Sequence, residues 1–140
     1  MTQSPVSSAI RNSVESGVRP HPVRWPWFLV ADLALVTVFA ALGRSSHGED
    51  AVAALVTAWP FLVGAVVGWL VGRAWQRPAA VWPTGVTVWL GAEIVGMVLR
   101  TWTGQGTAWT FVLVSLAVLG VFLLGYRAIV RLVHNLRRAR

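Results

Sequence analysis

The stretch AVAALVTAWPFLVGAVVGWLV, from Ala51 to Val71, contains no charged side chain. At about 1.5 Å of rise per residue, a helix of this length crosses a hydrocarbon core ~30 Å thick. Its apolar residues run all round the helix rather than along one stripe, as a lipid-facing segment requires. Three further runs share this character: Trp25 to Leu42, Val81 to Leu99 and Thr107 to Tyr126. The sequence therefore predicts an all-α fold, a membrane-spanning four-helix bundle. A β-barrel would instead need alternating segments of about ten residues.

Composition agrees. The chain has 140 residues, of which 56% are hydrophobic and 12% charged, against ~25% charged in an ordinary soluble domain. A soluble fold of this size has too high a surface-to-volume ratio to hide so much apolar area. With no cysteine, disulfides, thiolate chemistry and iron–sulfur or Cys-zinc sites are excluded. The net charge of +7 comes from arginines placed outside the apolar runs, with no aromatic–basic platform, so nucleic acid is not an expected partner.

Punctuation sets the boundaries. Pro26 suits a first helical turn, and Gly43 is a plausible stop after the first span. Gln76-Arg77-Pro78 separates the second span from the third, and Gly104-Gln105-Gly106 the third from the fourth. Trp25, Trp27, Trp75, Trp82, Trp102 and Trp109 fall near the predicted interfaces, where indoles prefer to sit. The expected layout is a disordered tail over 1–24, spans at about 25–42, 51–71, 81–99 and 107–126, and a basic amphipathic tail over 127–140.

Ten of the twelve arginines lie in the N-tail, the middle loop and the C-tail, leaving only Arg44 and Arg100 on the opposite side. The positive-inside rule then predicts a multi-pass protein of the cell (plasma) membrane with both termini in the cytoplasm. The first helix is expected to be retained, because Asp32 would interrupt the apolar region of a signal peptide. In the C-tail, Arg127, Arg131, His134 and Arg138 recur at helical spacing, while Ile129, Val130, Leu132, Val133 and Leu136 fall largely on the other face. Such a segment prolongs the last helix and attracts anionic lipid.

Two acids interrupt the apolar runs, Asp32 in the first and Glu93 in the third. A carboxylate near the bilayer centre costs ~2.5–3.5 kcal/mol, so each should face the bundle interior. Their expected offset is ~6 Å along the bundle, and direct pairing requires the helices to shift or tilt. Two readings stand: an interhelical hydrogen bond that fixes packing, or a proton- or ligand-handling role. Arg100 follows Glu93 by two turns, with Met97 between and Trp89 one turn before. That stripe lines a cleft or forms one packed seam.

The first outer loop, Gly43-Arg44-Ser45-Ser46-His47-Gly48-Glu49-Asp50, is the most polar stretch between the tails. Its spacing matches no metal-ligand signature, and no base–nucleophile constellation is apparent. Neither a metal, a cofactor nor an enzymatic activity is expected. The outer-side cluster is Arg44, His47, Glu49, Arg100, Gln105 and Thr107. In the second span, Pro60, beside Trp59, removes the hydrogen bond to the carbonyl of Val56, producing a kink or an exposed acceptor for Thr57 to satisfy. Gly64, Gly68 and Gly72 let another backbone approach closely, within the chain or across a homo-oligomer.

Thr57-Ala58-Trp59-Pro60-Phe61 is echoed by Thr107-Ala108-Trp109-Thr110-Phe111, each after an Arg-x-x-x-Gly loop. A duplication would relate two parallel hairpins by a pseudo-twofold axis along the membrane normal.

The strings Phe39-Ala40-Ala41-Leu42-Gly43-Arg44-Ser45-Ser46-His47-Gly48-Glu49, Thr57-Ala58-Trp59-Pro60-Phe61, Gly96-Met97-Val98-Leu99-Arg100 and Gly104-Gln105-Gly106-Thr107-Ala108 carry a resemblance. Together with the Asp32 helix, they resemble an uncharacterised prokaryotic membrane family, the domain of unknown function numbered three thousand and fifty-four. The resemblance spans roughly residues 28 to 127 and implies a four-helix integral membrane protein without an assigned activity. From the residues themselves, the leading expectation is a small transport or permeation protein using the intramembrane carboxylates. The alternative is a lipid- or partner-binding subunit in which Arg44 and Arg100 hold an anionic headgroup.

Overall fold

The computed structural model describes residues 24–45 and 51–140, with side chains over 24–43 and 52–140. Of the N-terminal tail expected over 1–24, residues 1–23 lie outside the described residues, as do His47, Glu49 and the side chain of Arg44. Helix α1 is Trp25–Ser45 and α2 is Ala51–Val71. Helix α3 is Val86–Trp102, and α4 is Trp109–Arg138. No strand occurs among the described residues, and four helical segments are long and apolar enough to cross a membrane, the third counted from Val81 to Trp102.

The boundaries differ from expectation at three places. Helix α1 continues two residues past Gly43. The third span opens with a π-type turn, Val81–Gly85, in which Trp82 is extended at φ −114° and ψ 134°. Pro83 explains this, since the residue before a proline is pushed out of the helical region. The regular α3 therefore begins only at Val86 and runs on to Trp102. The largest difference is α4, which starts at Trp109 rather than Thr107 and runs through the expected tail boundary to Arg138. After Gly125 no glycine or proline interrupts the chain, so nothing stops the helix there.

Consecutive helices pack against each other, and α4 returns to α1, closing a ring of four. The tightest seam joins α2 to α3. A Cβ built on Gly64 would lie 2.5 Å from the Gly91 carbonyl oxygen, and one on Gly91 would lie 2.7 Å from Gly68 Cα. The small-residue spacing thus serves contact within the chain. Helix α2 runs unbroken through Pro60, which is buried, while Trp59 is exposed. Val36, Phe39, Phe61, Ala65, Trp69, Val88, Leu119 and Leu123 form the core. Val30, Val63, Leu70, Ile94, Val98, Leu113 and Val121 cover the outside, the coat a lipid-facing bundle needs.

Candidate functional site: two buried acids with different partners

Asp32 sits on α1 and is completely buried. Its Oδ1 accepts hydrogen bonds from Arg127 Nη1 at 2.7 Å and Tyr126 Oη at 2.8 Å. Its Oδ2 accepts from Arg127 Nη2 at 2.6 Å and Trp69 Nε1 at 2.6 Å. The guanidinium meets the carboxylate through two parallel bonds, the strongest ion-pair geometry side chains offer. Two more of its donors are used: Nε bonds the Pro78 carbonyl at 3.1 Å and Nη1 the Leu123 carbonyl at 2.9 Å. Arg127 is itself 0% exposed. One node thus ties α1, α2, the α2–α3 connection and α4 together with no net charge, the condition under which ions persist in an apolar interior.

This corrects the expected tail. Arg127 belongs to the bundle interior, and the exposed basic segment begins after it, with Arg131, His134, Arg137, Arg138 and Arg140. Trp69→Phe removes one donor from Asp32 while keeping the ring. The expected cost is about 1.5–3 kcal/mol, typical of a hydrogen bond to a charged group. Equilibrium unfolding in mixed micelles would measure it, and an unchanged midpoint would speak against the node.

Glu93 is placed differently. It lies on α3, is 4% exposed, and faces α4, where Ser115 Oγ lies 2.8 Å from its Oε1. Glu93 Oε2 is buried with no hydrogen-bond partner. The Ser115 hydroxyl also lies 3.1 Å from the Val112 carbonyl oxygen. A hydroxyl has a single hydrogen, so it donates to one of these acceptors at a time. Trp89, one turn earlier on α3, donates from Nε1 to the Leu116 carbonyl at 3.0 Å and packs on Gly120. The Trp89–Glu93 stripe is therefore a packed seam against α4.

Asp32 and Glu93 do not meet. Their partners on α4, Arg127 and Ser115, are separated by roughly 18 Å of helix at about 1.5 Å per residue. Arg100 is not hydrogen-bonded to Glu93 either. Its Nη1 bonds Gln105 Oε1 at 3.0 Å, and its Nη2 the carbonyls of Gln105 at 3.3 Å and Gly106 at 3.2 Å. Positive φ angles at Gly104 (71°) and Gly106 (76°) belong to a tight turn that glycine permits. The guanidinium lies 4.4 Å from the Phe111 ring centroid, and the residue is 7% exposed. Arg100 and Gln105 of the expected cluster do come together, while Thr107 Oγ1 lies 3.4 Å from Thr101 Oγ1. Among the described residues, no group of acids and histidines is arranged to hold a metal.

A family model described as a protein of unknown function (DUF3054) matches residues 29–130. The chain belongs to this family. No curated protein and no solved structure matches. The DUF3054 match together with four membrane-capable helices makes this a multi-pass integral membrane protein. All the residues of the two acid sites fall inside the DUF3054 segment.

The residues missed by sequence reasoning are Arg127, Trp69, Tyr126 and Ser115. Ser115 offered a signal: it is the sole hydroxyl between Phe111 and Tyr126 in an otherwise apolar run. Arg127 stands at the edge of that run, where hydropathy alone assigns it to the tail. The two hairpins of the supposed repeat also differ in their contacts. Glu93 has a serine where Asp32 has an arginine, and Arg77, fifty residues before Arg127, is exposed.

Proposed function

We propose that this DUF3054 protein is a small transport protein of the cell membrane in which Glu93 exchanges a proton or small cation. The observation that carries the reading is the buried, unpartnered Oε2 of Glu93. An acceptor left open in an apolar interior is costly, and a donor from outside the chain would satisfy it. Ser115 supports this role. With Glu93 charged, the serine hydroxyl donates to Oε1; with Oε1 protonated, that proton is donated to Ser115 Oγ while the serine hydrogen turns to the Val112 carbonyl. The pair stays hydrogen-bonded in both states, and no proton is gained or lost by the serine.

Asp32 has no such freedom, because each of its oxygens already accepts two bonds. In this reading it holds helices together and carries nothing. The anionic-headgroup alternative has less support, since Arg100 is buried and its guanidinium is engaged by the Gln105 and Gly106 carbonyls. The reading includes no enzymatic step. It places both termini in the cytoplasm from the arginine bias, and lays the exposed basic end of α4 against anionic lipid, at about 1 kcal/mol per arginine.

The test is purified protein in liposomes loaded with a pH-sensitive dye. Wild-type protein is expected to dissipate an imposed pH gradient, and Glu93→Gln to slow that by roughly a hundredfold, the scale of losing a positioned proton-transfer group. Ser115→Ala is expected to shift the pH profile of the flux. Equal flux in wild type and Glu93→Gln would sink the reading.

A further inference from the structure

Three phenyl rings, each from a different helix, meet inside the half of the bundle that holds Arg100. Phe39 of α1 and Phe61 of α2 pack edge to face with centroids 5.6 Å apart. Phe111 of α4 lies 6.4 Å from the first ring and 6.1 Å from the second. Phe39 and Phe61 are buried, and Phe111 packs against the same core. Two neighbours fix the height of this layer. On α3, a Cβ built on Gly96 would lie 2.8 Å from the Phe61 ring, and Gly96 stands between Glu93 and Arg100. On α4, Phe111 precedes by one turn Ser115, the hydrogen-bond partner of Glu93. The rings therefore separate the Glu93 carboxyl from the Arg100 end of the bundle. The Arg100 guanidinium closes the layer from beyond, 4.4 Å from the Phe111 centroid and 6.0 Å from that of Phe61.

We propose that Phe39, Phe61 and Phe111 are a specificity-determining barrier that bars metal cations from Glu93, so that the species exchanged there is the proton. This rests on the exchange reading and narrows it to one species. Two features select the proton. The first is the poverty of ligands at the acid. Among the described residues the hydrogen-bond partner of its carboxyl is Ser115 alone, so carboxyl and hydroxyl together offer three oxygens. Hard cations such as Ca²⁺ or Mg²⁺ surround themselves with about six or more, whereas a proton needs one. A proton also cancels the charge, leaving the open oxygen as part of a neutral acid, far cheaper to bury than an anion. The second feature is the layer itself. A constriction of apolar side chains stops ions by excluding their water. A ring face attracts bare cations, but a fixed guanidinium already occupies that position over Phe111. Among the described side chains no other charge alters this balance. Helix α2 carries no ionisable residue, and α3 carries only Glu93 and Arg100. Asp32 of α1 is held by Tyr126 and Arg127, the first ionisable residues after Ser115 on α4.

The experiment uses the full chain in liposomes, with the membrane potential clamped by potassium and valinomycin. Proton flux is followed with the pH-sensitive dye and uptake of radioactive sodium in parallel. Wild type is expected to move protons at the same rate in sodium and in N-methylglucamine buffers, and to take up no more sodium than protein-free vesicles. Phe61→Ala and Phe111→Ala are expected to raise sodium uptake roughly tenfold or more, since widening an apolar constriction admits hydrated ions. Phe61→Leu and Phe111→Leu keep the layer apolar and filled, and are expected to stay sodium-tight. A purely structural role for the rings would lower the amount of folded protein and leave the ratio of sodium to proton flux unchanged. Sodium uptake by wild type that Glu93→Gln abolishes overturns the proposal, as do alanine variants that fold and remain sodium-tight. If the alanine variants fail to fold, the buffer comparison in wild type decides, and proton flux that scales with sodium overturns it. The exchange reading fails separately, through equal proton flux in wild type and Glu93→Gln. That result removes the proton from Glu93 and leaves the barrier to be judged by the sodium leak alone.

Discussion

Arg127→Met is expected to destabilise the bundle by about 3 kcal/mol or more, because it leaves the Asp32 carboxylate buried opposite a thioether. Asp32→Leu is expected to do comparable harm by stranding the guanidinium beside the Pro78 and Leu123 carbonyls. The informative variant is the double one. With both charges gone, the neutral donors of Trp69 and Tyr126 lose their acceptor and the Pro78 carbonyl loses its donor, at about 1–3 kcal/mol each. The double substitution should therefore fall short of the sum of the singles by roughly 2–3 kcal/mol. Arg127→Lys should recover only part of the loss, since an ammonium cannot bridge both Asp32 oxygens and also reach Pro78. Unfolding in mixed micelles by steric trapping or denaturant gives all four values. Additive single effects would mean that the pair does not act as a unit.

The same node shows where sequence reading stops. Apolar run length fixes the number of helices, because hydrocarbon thickness leaves little choice, and α2 spans the predicted Ala51–Val71. It fixes ends poorly. A run is closed at its first charge, and Arg127 is the first charge after Thr107, so hydropathy ends the span one residue short of its most buried ionic group. Counting arginines by side has the same weakness, since it treats a paired interior guanidinium and an exposed anchor alike. That Asp32 and Glu93 need shelter follows from solvation alone. Which neighbours provide it depends on which helix α4 returns to and on the rotation of each helix, and neither is written in local spacing. Trp69 illustrates this. It reads as one more apolar residue of a lipid-facing run, yet its indole N–H is one of the four donors that neutralise Asp32.

The two acids divide the bundle into a part whose hydrogen bonds are all filled and a part where one acceptor is open. At the Arg127 end, every hydrogen-bonding position of the carboxylate is filled from within the chain, so motion there breaks an ion pair. Along the α3–α4 seam one oxygen is open and one hydroxyl has a choice of acceptors. Rearrangement at Glu93 therefore costs a hydrogen-bond switch, whereas rearrangement at Asp32 costs a buried charge separation.

Gly64→Ala and Gly68→Ala, with Gly91→Ala, are expected to be the most damaging glycine-to-alanine changes among the described residues. A Cβ on Gly64 would lie 2.9 Å from Ala92 Cα, and one on Gly68 would lie 2.7 Å from Val88 Cα. Both obstacles are backbone, which cannot swing aside as a side-chain tip does. The helices must separate, at a cost of about 1–3 kcal/mol or above. Gly125→Ala is the matched control: nothing lies within 4 Å of its Cβ, so replacing a helical glycine should stabilise by up to ~1 kcal/mol. Gly72→Ala should fall between them, because the atoms it would displace include the Thr87 side chain, which can rotate. The series also reaches function. Ala92, which opposes Gly64, immediately precedes Glu93, so forcing α3 away from α2 moves the acid relative to Ser115. In the liposome assay, Gly64→Ala should alter proton flux beyond what its loss of folded protein explains, whereas Gly72→Ala should not. Flux that tracks only the folded fraction in every variant would detach the glycine seam from Glu93 and leave it a purely structural contact.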